Sequence, residues 1–363
     1  MHFTCLGQNI NLIHKIAWKG ERVCIEAEGV LSYDSLKNSD GDAVLPIKIM
    51  SLYATTADGQ KVWDVIAPYK AKQPKMWLTI DVPLNAEVGV YHSPDFKIVL
   101  EVLSLELPRR DNWSFHLDLW QNPWAVARVH KVAPWSEDHF RVLEKHLMLL
   151  ADAGQKVITT TVVDNVWASQ TFDAHGSMVK WIRNEQGLVF DFSVFIRYVD
   201  LCDKVGIRGP IHVFSVLPWG SNQGCGAKDG KAKYTMHNGD DIYAAPGHTL
   251  YNQLWSIFMG EFVKVIRKKG WVKRIHFAFD ERHEDEMMAA LKMLEDVLPY
   301  DFKPLRTASA YEYNKKYTDL ITDLSPAFNK RKNWNHIAAA RRAKGQKTTF
   351  YLCEWPKPPS ANN

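Results

Sequence analysis

After Pro108 the chain settles into a repeating rhythm, and that rhythm restricts the fold more than any other feature. Short apolar runs follow one another: SFHLDLW (114–120), KVITTTVV (156–163), PIHVFSVL (210–217), RIHFAFD (274–280), PLRTASA (304–310), LITDLS (320–325) and KTTFYLCEW (347–355). Between them lie stretches with helical period: SEDHFRVLEKHLMLLADAG, FSVFIRYVDLCDKVG, LYNQLWSIFMGEFVKVIRKKG, EDEMMAALKMLEDVL and NWNHIAAARRAKG. Strands that alternate with helices of roughly 10–20 residues build a parallel sheet covered by helices. A dinucleotide-binding sheet would put GxGxxG after a strand, and no strand here carries it. Seven or so strands with long connecting loops fit a (β/α)8 TIM-type barrel. Polar and aromatic residues gather just after the strands: Trp120-Gln121-Asn122, Asp164-Asn165, Pro218-Trp219-Gly220, Asp280-Glu281, Tyr311-Glu312-Tyr313 and Glu354-Trp355. A barrel would bring all of them to one face.

The region before this rhythm reads differently. RVCIEAEGVLSY, LPIKIMSLYATT, KMWLTIDVPL and FKIVLEVLSLEL alternate apolar and polar residues, and clusters such as KNSDGD and TADGQ part them. Alternating strands with turn signals between them predict a β-sandwich over residues 1–107. The barrel is then expected over 108–363. An eighth barrel strand is missing from the pattern, so the expected barrel is incomplete at its C-terminus.

Composition narrows the function. A net charge of +4 over 363 residues leaves no basic stripe, which argues against nucleic acid as a partner. The run RKKG at 267–270 reads as a helix end, where cations suit the dipole. No apolar run reaches the roughly 18 residues of a membrane span. The N-terminus lacks the charged and apolar regions of a secretory signal, so a soluble, cytoplasmic protein is expected, or an extracellular or periplasmic one if the N-terminus is truncated. Five scattered cysteines without a CxxC pair are expected to be buried reduced thiols. Fourteen Trp within 12% aromatic residues supply core volume first, although Trp beside polar loop residues also suits stacking on sugar rings.

One acidic pair stands apart. Glu137-Asp138, Asp240-Asp241, Glu284-Asp285, Asp285-Glu286 and Glu295-Asp296 fall in polar loops or on helix faces, where solvated charge explains them. Asp280-Glu281 follows the strand IHFAF directly. At a strand end both carboxylates can reach over the sheet. Glu281, with the longer side chain, can protonate a leaving oxygen, and Asp280 can hold another group. A carboxyl in an apolar, aromatic-walled pocket has its pKa raised, as a general acid at neutral pH requires. This is glycosidase chemistry. An ion pair with Arg282 or Arg274 is the structural alternative. A metal-dependent hydrolase using Asp118, Asp164 and Asp280 is another. No HxH or HExxH spacing supports zinc, and no cofactor or resident metal is expected. His116, His212 and His276 share the third position of their strands and read as inner-barrel residues. No GxSxG is present.

Long segments carry a family resemblance. WSFHLDLWQNPWAVARVHKVAPWSEDHFRVLEKHLMLLADAGQKVITTTVV, SMVKWIRNEQGLVFDFSVFIRYVDLCDKVGI, IHVFSVLPWG and KGWVKRIHFAFDER are very similar to the catalytic barrel of glycoside hydrolase family 123, the β-N-acetylgalactosaminidases. MWLTIDVPLNAEVGVY looks like the end of that family's preceding β-sandwich. The resemblance covers roughly residues 76–355. It implies an exo-acting retaining enzyme that releases terminal β-linked N-acetylgalactosamine from glycans or glycosphingolipid-type substrates. The substrate's own acetamido oxygen would be the nucleophile, through an oxazolinium intermediate. Carried onto this chain, Asp280 orients the acetamido group and Glu281 is the general acid and then base. Tyr311 would donate to the acetamido oxygen, Trp219 and Trp120 would wall the pocket, and Asp118, Gln121 and Asn165 would bind sugar hydroxyls. The family's barrels continue past the strand matching TTFYLCEW into a final strand rich in Trp, and its sandwich is longer. The alternative is an inactive carbohydrate-binding remnant of the same fold.

Overall fold

The computed structural model describes residues 12–28, 31, 33–57, 60–70, 75–108, 112–219, 232–237, 239–309, 318–327 and 334–351. Two compact units divide the chain, Met1–Trp113 and Ser114–Asn363.

The first unit is β-rich. It contains β1 (Ile13–Lys19), β2 (Arg22–Glu28), β3 (Ser35–Asn38), β4 (Val44–Ala57), β5 (Gln60–Pro68), β6 (Lys75–Asp81), β7 (Gly89–His92) and β8 (Ile98–Glu106). Strand β4 is shared. Its first residues pair antiparallel with β3, and the rest pair with β6 and β5. β1 lies parallel to β8. Alternation sends one side of each strand inward: Val23 and Ile25 of β2, Leu78 and Ile80 of β6, and Leu100 and Val102 of β8 join Leu36 and Tyr91 in one apolar core. The same alternation turns Cys24 outward, so the expectation of a buried thiol fails there, whereas Cys202 is fully buried. The remaining cysteines lie outside the described residues.

The second unit holds α1 (Pro123–His130), α2 (Glu137–Asp152), β9 (Ile158–Thr161), the hairpin β10 (Lys180–Asn184) and β11 (Gly187–Asp191), α3 (Ser193–Val205) and β12 (Ile211–Phe214). It continues through the hairpin β13 (Ala232–Thr235) and β14 (Asp241–Ala244), α4 (Thr249–Lys269), β15 (Ile275–Phe279), α5 (Glu284–Val297), β16 (Thr307–Ser309), β17 (Asp323–Leu324), α6 (Trp334–Ala343) and β18 (Lys347–Thr348). Local chemistry sets the helix ends. The Ser136 hydroxyl caps α2 by accepting from the His139 N–H, and Gly206 and Gly270 end α3 and α4 in the left-handed conformation. Arg267, Lys268 and Lys269 occupy the last turn of α4, as RKKG led us to expect. Helix α1 escaped the sequence reading, although Asn122-Pro123 supplies an N-cap and a proline at the first helical position.

The central sheet is parallel, in the order β18-β17-β16-β15-β12-β9. Each strand pairs with the next in the chain, so this is not a doubly wound sheet. β9 and β12 are buried on both faces, as helix-covered parallel strands must be. SFHLDLW, expected as a full strand, contributes one bridge, Leu117 to Gln155. Side chains complete that junction. The Gln155 Oε1 accepts from the Leu119 N–H at 2.9 Å, and the Gln121 Oε1 accepts from the Thr159 N–H at 2.7 Å. The sheet curls far enough that its two ends come within side-chain reach. Lys347 Nζ of β18 stands 3.2 Å from His116 Nδ1 and 3.5 Å from the Asp323 carboxylate. Among the described residues the parallel sheet has six strands. No helix among the described residues is long and apolar enough to cross a membrane.

The aromatic residues fill the space under this sheet. Trp181 of β10 stacks on Tyr234 and Phe258, and its indole N–H donates to the Val162 carbonyl at 2.8 Å. That anchors both hairpins, which alternation alone did not reveal.

Candidate active site

Strand β15 delivers the acidic pair. Ile275, Phe277, Ala278 and Phe279 are buried, and the strand ends where Asp280 begins. The two carboxylates then diverge in surroundings. Asp280 is pushed up to about 6, chiefly by burial, with the Glu281 charge adding to the rise. The Glu281 backbone N–H, the Arg282 charge and the Trp167 indole oppose it. The indole lies beside the carboxylate without forming a hydrogen bond of good geometry. Glu281 is exposed and accepts a hydrogen bond from the Tyr351 hydroxyl. The desolvated carboxyl is thus Asp280, the shorter of the two side chains.

The segments after β9 and β12 wall the pair. Trp167 packs against Phe214 at 4.8 Å and against His175 at 4.4 Å between ring centroids. Trp120 lies 5.1 Å from Trp167 and 4.9 Å from Phe214, with 43% of its surface exposed. One of its faces is therefore packed and another is open. Burial lowers the His175 pKa to about 4, so this imidazole is neutral at pH 7. Asn165 adopts a positive φ of 50°, and its carboxamide oxygen is buried without a hydrogen-bond partner. That turn also lets the Asn165 N–H donate to the His175 carbonyl at 2.7 Å. Trp219 is half-buried, and its backbone N–H donates to the Val166 carbonyl at 2.6 Å. The loops after β9 and β12 are joined there.

Other expected site residues are placed elsewhere. Gln121 is 7% exposed, and its side chain engages the backbone of Leu119, Val157 and Thr159. Asp118 is half-buried, with its carboxylate 3.5 Å from His212 Nδ1. Burial and the Asp323 charge push it up to about 7. Around it stand His116, His212 and His276, all held below the ordinary histidine range by burial, as inner-sheet imidazoles. Asp164 is solvent-facing and accepts from the Ser177 backbone N–H, near Lys233 and Asp241. Asp118, Asp164 and Asp280 therefore occupy three different surroundings and do not converge as a metal-binding trio. Among the described residues no group of three or more such side chains could hold a metal ion. The proposed ion-pair partners of the acidic pair are also engaged elsewhere: Arg274 pairs with Asp203 at 2.7 Å and Arg282 with Glu286 at 2.7 Å. Tyr311 lies outside the described residues.

Trp167, His175 and Tyr351 were not singled out from the sequence. NVWASQ does place a Trp just after a strand end, which was the available signal for Trp167. Tyr351 gave none, because its role depends on a strand more than 60 residues away in the chain meeting β15 from the other side.

Comparison with known proteins adds the lineage. The model of the glycoside hydrolase 123 catalytic domain matches residues 120–363. Among solved structures, a family 123 glycoside hydrolase from Clostridium perfringens, studied for glycolipid glycan hydrolysis, superposes with a TM-score of 0.80 at 24% sequence identity. The match covers 97% of this chain and 69% of that one, and at this identity it speaks for the fold alone. No curated protein is significantly similar to the chain.

Proposed function

The chain belongs to glycoside hydrolase family 123, and from that premise we propose that it is an exo-acting, retaining β-N-acetylgalactosaminidase working by substrate-assisted catalysis. In this reading residues 1–107 form a β-sandwich and 108–363 a (β/α)8-type catalytic barrel. The observation that carries it is the division of environment within the acidic pair. Asp280 lies in a desolvated, aromatic-walled recess, and Glu281 beside it faces outward at the mouth.

The chemistry follows from that division. The substrate's acetamido oxygen attacks the anomeric carbon as the glycosidic C–O bond breaks. Glu281 gives its proton to the departing oxygen. Positive charge spreads over the resulting oxazolinium ring, and the ionised Asp280 accepts the hydrogen bond from its N–H. A fixed carboxylate in a site of low polarity stabilises that charge far better than water can. Glu281, now ionised, takes a proton from water, which attacks the anomeric carbon from the side the aglycone left. The ring opens with the configuration retained. No second carboxylate is needed beneath the sugar, because the nucleophile is part of the substrate. The acetamido group and the glycosidic oxygen sit on adjacent ring carbons, so neighbouring residues suffice to serve them. Trp120 offers its open face to the apolar side of a pyranose.

The test is hydrolysis of p-nitrophenyl N-acetyl-β-D-galactosaminide beside its gluco epimer. Cleavage of the galacto substrate, lost in Asp280→Asn and Glu281→Gln, is the expected result. Binding of the sugar without turnover would replace the reading with a carbohydrate-binding role. Wild-type rates in both variants would remove the site assignment.

A further inference from the structure

The residue that follows the acidic pair is a buried guanidinium. Arg282 is 3% exposed, and its Nη2 pairs with Glu286, in the first turn of α5 and 8% exposed, at 2.7 Å. Its Nη1 donates to the Trp219 carbonyl at 2.7 Å. The Trp219 N–H in turn reaches the Val166 carbonyl at 2.6 Å, and Val166 precedes the Trp167 that flanks Asp280. One side chain therefore links the end of β15 to the loops after β12 and β9. Ser215 reinforces the junction, its hydroxyl donating to the Ala278 carbonyl at 2.8 Å. A buried ion pair is a poor stabiliser compared with apolar packing of the same volume, so its presence here calls for another reason.

Resting on the catalytic reading of Asp280, we propose that Arg282 is a positioning residue for the acidic pair: it ties the three segments that wall the site and holds one fixed positive charge behind the carboxylates. The titratable groups facing it are few. Tyr234 and Tyr251 are fully buried phenols whose pKa values rise with burial, so they stay neutral. Glu286 is its ion-pair partner, and Asp280 and Glu281 adjoin it in sequence. Of these charged neighbours, Arg282 is the one that opposes protonation of Asp280.

The experiment compares three variants with the full-length protein on the aryl N-acetylgalactosaminide. Arg282→Met with Glu286→Met removes both buried charges at once, so neither is left unpaired. With the charge gone, the acid limb of the kcat/KM profile should move up by about one pH unit, the low end of what a neighbouring opposite charge does to a carboxylate. The rate near pH 6 should fall several-fold and recover toward pH 8. Arg282→Lys keeps the charge but has no planar fork to hold Trp219 and Glu286 together. Its acid limb should stay in place while KM rises several-fold. A folded double variant with an unmoved acid limb overturns the proposal. If the double variant does not fold, an unchanged KM in Arg282→Lys overturns it. Asp280→Asn separates the two levels. If it is inactive while the Arg282 variants keep wild-type limb and KM, only this proposal falls. If it works at the wild-type rate, the catalytic reading falls and takes this proposal with it.

Discussion

Replacing Asp280 by Asn should make the protein more stable and less active. The carboxyl is moved from 3.8 to about 6, mainly by burial. Each tenfold change in a protonation equilibrium is worth roughly 1.4 kcal/mol, so the ionised group disfavours the folded state by about 3 kcal/mol. The folded state holds this proton more tightly than the unfolded one. Stability therefore falls as pH rises between about 4 and 6, and the full deficit persists above that. Asn has nearly the same shape and no charge, and its oxygen can still accept from the Glu281 N–H. The variant should gain up to about 3 kcal/mol near pH 8 but only about 1 kcal/mol near pH 4.5, where the folded carboxyl is already largely protonated and its deficit mostly relieved. For a unit of this size that is on the order of 5–10 °C in melting temperature near pH 8. Scanning calorimetry on wild type and variant at both pH values measures it, with hydrolysis assayed on the same samples. No gain near pH 8, or the same gain at both pH values, would refute the claim that Asp280 is a destabilising buried charge. A gain in stability joined to a loss of activity is what a site kept for function produces.

The same carboxylate should set the acid side of the activity profile, with kcat/KM falling as pH drops through about 6; a limb near 4 would mean that Asp280 is not the group that must be ionised. Glu281→Gln should lose about 10²–10⁴-fold in kcat on the natural type of linkage, the usual worth of general acid catalysis. Azide should partly restore Glu281→Ala on an activated aryl leaving group, and no azide adduct would count against Glu281 as the acid/base. Asp118→Asn should raise the melting temperature above about pH 7, because its carboxyl is pushed up to about 7, and the gain should vanish in acid; activity near that of wild type would place Asp118 in the inner sheet rather than at the sugar.

Much of this molecule is written in short stretches of chain. The alternation of apolar residues placed β2, β4, β6 and β8, and the switch to helical period after Pro108 announced a parallel α/β unit. Ser136, Gly206 and Gly270 fixed helix ends, because capping needs only the residues on either side. The position of Asp280-Glu281 after IHFAF was legible for the same reason: where a strand stops is a local property. What surrounds those two carboxylates was not legible. Asp280 is desolvated by burial, with Trp167 brought beside it from the loop after β9, and Glu281 meets Tyr351 from near the far end of the sheet. SFHLDLW has the apolar pattern of a strand, yet it pairs by one bridge and by the side chains of Gln121 and Gln155. Asp118 and Asp164 look like Asp280 in sequence, each close to a strand end, but one faces His212 inside the sheet and the other faces solvent. The charge state and partners of a side chain depend on which distant segments are packed around it. The sequence could therefore name the acids, and only the tertiary structure could say what surrounds each of them and what opposes the charge on Asp280.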